Sequence, residues 1–235
     1  MSWFGLDPQS IADRVNAGSK PVCVPTVTQS LVRGTVGFTV VSLAGFAPWA
    51  FGGGRLARQI SEGGMYALCA IVFLGLSAPV LHRLIIGPDS LRRFYRLFSM
   101  AFLTYAVIWC AVWFGFRFRY NDYLGLVLGT VAFGWIVANA FDARPAALRI
   151  IAVLVVFHAL GYPFGSWLYT NYQSHSLLDF VGVMLDTPTR STTAKLLWGL
   201  GYGLGFGAGI GYAFYTCQTE VRKRLSATAS DGTKP

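Results

Sequence analysis

Carboxylates are what this sequence most lacks. It has ten acidic residues in 235, against nineteen lysines and arginines. None of the ten lies in the middle of an apolar run; Glu62, Asp89, Asp122 and the rest fall in loops, tails or run edges. Pumps and proton-coupled carriers need an ionisable relay at membrane depth, so this lack argues against an ion-driven pump. Cysteine is equally sparse. Cys23, Cys69, Cys110 and Cys217 form no CxxC and no paired spacing, which reads as small buried hydrophobes rather than a disulfide framework. The motifs of hydrolytic and phosphate-handling enzymes are missing too: there is no HExxH, no GxSxG and no P-loop lysine after Gly52-Gly53-Gly54. That glycine triplet reads as a flexible span end. The densest basic stretch, Arg222-Lys223-Arg224, is too short for a nucleic-acid arm, so no nucleic-acid partner is expected. The first thirty-odd residues lack the apolar core of a cleavable signal peptide.

What is abundant is apolar sequence, 54% of the chain, with only 12% charged. Six apolar runs, at 35–53, 65–86, 97–116, 123–141, 148–168 and 195–216, are each long enough to cross a bilayer core as a helix. An all-α, polytopic integral membrane protein with six transmembrane helices follows. Its expected domains are a cytoplasmic segment (1–34), the membrane domain (35–216) and a basic, disordered cytoplasmic tail (217–235). Arg55, Arg58, Arg117, Arg119, Arg190 and Lys195 fall on one side of these runs, and all other lysines and arginines on the opposite side. The positive-inside rule therefore puts both termini in the cytoplasm, of a bacterial-type inner membrane. Trp49, Trp113, Tyr120, Trp167 and Tyr169 sit near the outer ends, as an aromatic belt does. Arg83, Arg92, Arg93 and Arg96 in the second loop, and Arg222, Lys223 and Arg224 in the tail, are placed to contact anionic lipid headgroups.

Two shorter segments read as interfacial helices. Asp7-Pro8 supplies an N-cap and a first-turn proline for a helix over 7–17, with Ile11 and Val15 on one face. At 176–185, Ser176 and Asp179 have capping-box spacing ahead of apolar residues.

The last run carries a glycine at every second position: Gly199, Gly201, Gly203, Gly205, Gly207, Gly209 and Gly211. In water each would cost a helix about 1 kcal/mol relative to alanine. In lipid an unpaired backbone costs more, so a helix is still required. A step of four residues advances a helix by about 40° and a step of two by about 200°. Gly199, Gly203, Gly207 and Gly211 therefore make one stripe, and Gly201, Gly205 and Gly209 a second on the opposite side. Gly125 and Gly129 make a GxxxG face on the fourth run. Such stripes let helices pack backbone to backbone, within one chain, in a homo-oligomer or in a larger membrane complex. The alternating glycines resemble the inner helix of rotary ATPase c-type ring subunits. The resemblance covers one helix of six, and this chain lacks the membrane carboxylate of those subunits, so no activity is carried over.

His158 is the one ionisable side chain near a midplane. It reads either as a neutral imidazole bonded to Tyr105, Thr104 or Thr130, or as a solute contact together with Tyr162 and Tyr202. Pro163 is expected to kink the helix just beyond it. His82 and His158 lie at different depths, which argues against axial haem ligation, and no cofactor or metal is expected. The leading functional expectation is a non-catalytic inner-membrane scaffold or accessory subunit that docks through glycine faces. An alternative is a carrier or channel for a small neutral or lipidic solute near His158. A third is a lipid-modifying enzyme using His82 and its arginines.

Overall fold

The computed structural model describes residues 3–18, 22–116, 120–174, 182 and 185–231. Among these, all regular structure is helical: α1 Pro8–Ala17, α2 Val27–Ala47, α3 Gly53–Leu81, α4 Ser90–Gly115, α5 Asn121–Ala140, α6 Ala147–Gln173, α7 Thr187–Cys217 and α8 Thr219–Asp231. Four stretches are long and apolar enough to cross a membrane: Val27–Leu84, Ser90–Gly115, Asn121–Ala140 and Arg144–Gln173. The chain is a multi-pass membrane protein. The first stretch has 58 residues, well over twice what one crossing needs. It folds back on itself through a π-helical turn at Pro48–Gly52 and a break at Ser61, whose φ is 65°. The Ser61 hydroxyl caps the second part of α3 by accepting from the Gly64 amide at 3.2 Å.

Each long helix packs on the next in sequence, and α7 closes the ring by packing on both α6 and α2. The first and last helices lie at one end, the base, where α1 touches α8. Phenylalanines from five of the six ring helices fill the basal half of the interior. Phe94 stacks on Phe98 (5.2 Å) and Phe214 (5.4 Å), while Phe206 meets Phe38 (5.4 Å) and Phe133 (5.3 Å).

The α7 seams are backbone-close. A Cβ built on Gly205 would lie 2.5 Å from the Phe157 carbonyl oxygen and 2.6 Å from Gly161 Cα. One on Gly201 would lie 2.5 Å from Gly165 Cα. These face α6, as does Gly209 against Leu154. Gly199, Gly203, Gly207 and Gly211 face α2 at Phe46, Thr39, Gly34 and Ser30 respectively. The Ser42 hydroxyl adds a bond to the Gly199 carbonyl at 2.7 Å. Gly125 and Gly129 take Trp109 and Tyr105 of α4 against their backbone.

Several boundaries differ from the sequence reading. Helix α2 begins at Val27, eight residues before the expected span and inside the segment assigned to the cytoplasm. A capping box between Thr26 and Gln29 starts it there. Helix α4 begins at Ser90, seven residues before the expected span, with Arg92, Arg93 and Arg96 in its first two turns as a basic helix start. Helix α6 runs on through Pro163 to Gln173. The tail expected to be disordered forms α8. Gln218, at the α7–α8 junction, explains the docking of that end. Its amide donates to the Leu84 and Phe214 carbonyls and accepts from the Ile86 amide, each at 2.8 Å. Helix α1 does not offer its apolar face to lipid. Leu6 and Ile11 are buried in the protein core, and Arg224 of α8 donates to Gln9. The segment 176–185 falls almost entirely outside the described residues.

Gly205→Leu is expected to lower stability by about 3 kcal/mol or prevent folding, because the added atoms meet backbone that cannot yield. Leu204→Ala, at a side chain 39% exposed, is expected to cost less than about 1 kcal/mol. Thermal unfolding in mild detergent compares the two; equal losses contradict the seam geometry.

Asp7 generates a second prediction. Its carboxylate accepts from the Ser10 amide at 2.9 Å and the Ser10 hydroxyl at 2.8 Å. Partial burial opposes its charge, but these bonds outweigh it and hold its carboxyl below its ordinary value. Because the folded value lies below the unfolded one, the stabilisation is full at neutral pH and is lost as pH falls below about 4. Asp7→Asn is expected to flatten that acid-side loss for α1, measured as protease susceptibility of the first thirty residues across pH.

Candidate functional site

The ring is packed at its base and hollow at its far end. A cavity of about 540 Å³ opens there, walled by Trp49, Trp109, Trp113, Tyr169 and Trp198, with Glu62, Asp122, Ser166 and Lys195 at its polar positions. Beneath it lies a smaller chamber of about 120 Å³. Phe46, Tyr66, Trp109, Tyr162 and Trp198 line both, so the two adjoin across a shared aromatic wall. The chamber floor is Phe73, Phe102, Tyr105 and Tyr202, and its α3 and α4 walls carry the small residues Cys69, Ala70, Ala106 and Cys110.

The local sequence accounts for the shape. The π-helical turn and the Ser61 break redirect the chain here, and Gly53, Gly54 and Ala57 line the cavity mouth. Lys195 on α7 is held there. Its ammonium donates to the Trp49 carbonyl at 3.3 Å and lies 5.2 Å from the Trp49 ring centroid, a cation–π distance. Trp49 in turn stacks on Tyr169 at 5.8 Å. Asp122 enters from the first turn of α5. The mouth thus carries two carboxylates and one ammonium above a purely aromatic and apolar chamber.

Tyr162 and Tyr202, two of the three solute candidates, line this chamber. His158 does not. It is 0% exposed, stacked at 4.4 Å on Phe206 and 5.2 Å from the Tyr202 ring, behind the chamber floor. Its Nδ1 pairs with the Thr130 hydroxyl at 2.8 Å, and its Nε2 has no protein partner. Trp49, Trp113 and Tyr169 line the mouth, Trp113 while still exposed; Tyr120 and Trp167 are exposed and do not line it. The sequence does not group Glu62, Tyr66, Trp109, Asp122 and Lys195, because they come from four helices, α3, α4, α5 and α7, and none belongs to a motif.

The basic residues divide as well. Arg83 and Arg92 are exposed. Arg93 is only 3% exposed, its Nη2 donating to the Ile86 and Pro88 carbonyls. Arg96 lies over the Trp3 ring at 5.7 Å. Arg222 lies over Tyr215 at 3.6 Å, and Lys223 and Arg224 reach Glu220 at 3.6 and 3.9 Å. Among the described residues no cluster of three His, Cys, Asp or Glu could hold a metal ion. Comparison with family models, with curated proteins and with solved structures finds no match to this chain.

Thr130→Val is expected to cost about 1–3 kcal/mol by leaving a buried imidazole nitrogen without its partner. Thermal unfolding measures it. An unchanged midpoint means the Thr130–His158 bond carries no weight.

Proposed function

We propose that this protein is a membrane-embedded carrier for a small neutral or lipidic solute, and that it binds the solute's apolar part in the aromatic chamber and its polar end at the mouth. The observation that carries this reading is the pair of adjoining cavities, the outer one with polar groups and the inner one apolar. Ligand sites have this character: mostly apolar and aromatic walls with a few placed polar groups. Two carboxylates and one ammonium at the mouth favour a neutral or zwitterionic end over an anionic one. The interlocked phenylalanine rings below the chamber favour a carrier over an open channel.

The reading includes six crossings, α2 to α7, with the base and both termini in the cytoplasm and the cavity opening on the other side, in a bacterial-type inner membrane. Support for the count comes from the ring order. α7 is apolar but glycine-rich, and glycine contributes almost nothing to hydropathy, so its sequence scores below the other crossings although the ring closes through it. Support for the direction comes from the basic residues concentrated at the base. A scaffold that docks through glycine faces is the weaker reading. α2 and α6 already occupy both stripes of α7, so the glycines need neither a second copy nor another subunit.

Filling the chamber tests the proposal. Ala106→Phe adds a ring beside a void of about 120 Å³, and is expected to keep or raise the unfolding midpoint. A photoactivatable diacylglycerol should label the stretches 62–73 and 102–113 in the unmodified chain, and should lose that labelling in Ala106→Phe. Labelling confined to the outer surface, or unaffected by the substitution, refutes the binding site.

A further inference from the structure

A second cavity, of about 540 Å³, lies at the base, between the N-terminal segment and the start of α4. Four guanidinium groups converge on it: Arg14 from α1, and Arg92, Arg93 and Arg96 from the first two turns of α4. Asp89 is the one carboxylate among the residues that line it. Ser10 adds a hydroxyl. Like charges gathered around one cavity repel, and desolvating one of them is costly, so an anion bound among them relieves both. Arg93 states that need most directly. It is 3% exposed, and although its Nη2 is paired with two carbonyls, its Nε and Nη1 have no partner. Gly5, at φ 58°, lets the chain pass close to the Arg14 guanidinium; a Cβ there would come within 2.8 Å of Nη2. The rim differs from the floor. Trp3, 67% exposed, and Leu91, 44% exposed, line the same cavity and present apolar surface.

We infer that this basal cavity binds a phosphate group, with Arg14, Arg92, Arg93 and Arg96 as its cationic ligands. Guanidinium forks match phosphate oxygens in geometry and charge. The source of the phosphate is either a phospholipid headgroup, whose chains would lie along the apolar rim, or a soluble phosphate. The site is at the opposite end from the proposed solute cavity and does not depend on it.

The test uses the full chain in phosphatidylcholine nanodiscs. Inorganic phosphate is titrated in one arm; in the other, phosphatidic acid replaces part of the lipid. The readout is the unfolding midpoint against ligand concentration. At least one arm is expected to stabilise the protein. In Arg14→Gln/Arg92→Gln the concentration for half effect should rise by about tenfold or more. Both side chains are exposed, so the variant should keep the fold, which its midpoint without ligand verifies. A control, Arg33→Gln/Arg144→Gln, removes the same charge at exposed positions elsewhere and should respond like the unmodified chain. Phosphate acting alone identifies a soluble ligand; phosphatidic acid acting alone identifies a headgroup; response in both arms identifies a site that takes either. No stabilisation in either arm overturns the inference, and so does an equal loss in the control.

Discussion

Main-chain contact along two flanks of α7 holds the ring closed. Helices gain little from hiding apolar side chains in a solvent that is itself apolar, so their association rests on close packing and hydrogen bonds. The alternate glycines let α2 and α6 reach the α7 backbone, and the Ser42 hydroxyl bonds to the Gly199 carbonyl at that seam. Large residues on the helix then have only the remaining faces to occupy. Tyr202, Phe206 and Phe214 point inward, where they meet aromatic rings from α2, α4 and α5. The glycine pattern therefore also aims the aromatic residues.

That aiming separates the interior into two regions. Toward the base, rings from five helices interlock, and Gln218 satisfies the backbone of the 84–86 turn from within. Away from the base, the π-helical turn and the left-handed Ser61 interrupt the α2–α3 hairpin, and a hollow remains above Phe73. Small residues on α3 and α4 widen it further. The hollow is thus the complement of the packed half. His158 belongs to the packed half, since its polarity is absorbed by Thr130 and its ring by Phe206.

The base has its own organisation. Helices α1 and α8, far apart in sequence, meet beneath the ring and bury Leu6, Ile11 and Val221. This docking converts two segments that read as surface-bound or unstructured into a floor. It also brings Arg14 to the arginines of α4, which places a concentrated positive field at the end carrying the first and last helices.

Periodicity and length were enough to determine an all-helical membrane chain, the α1 cap at Asp7 and the two opposed stripes of α7, because each depends on residues a few positions apart. Tyr162 and Tyr202 were legible as polar groups in apolar helices for the same reason. Trp49, Glu62, Tyr66, Trp109, Asp122 and Lys195 were not, since their meeting at one mouth depends on which helices are neighbours and how far each is shifted along its axis. The same holds for Arg14 with Arg93, and for His158, whose spacing is equally compatible with a wall or a lining position. Only the closed ring decided these, because a helix repeat specifies the face a side chain is on, while what that face meets is set by packing across the whole bundle.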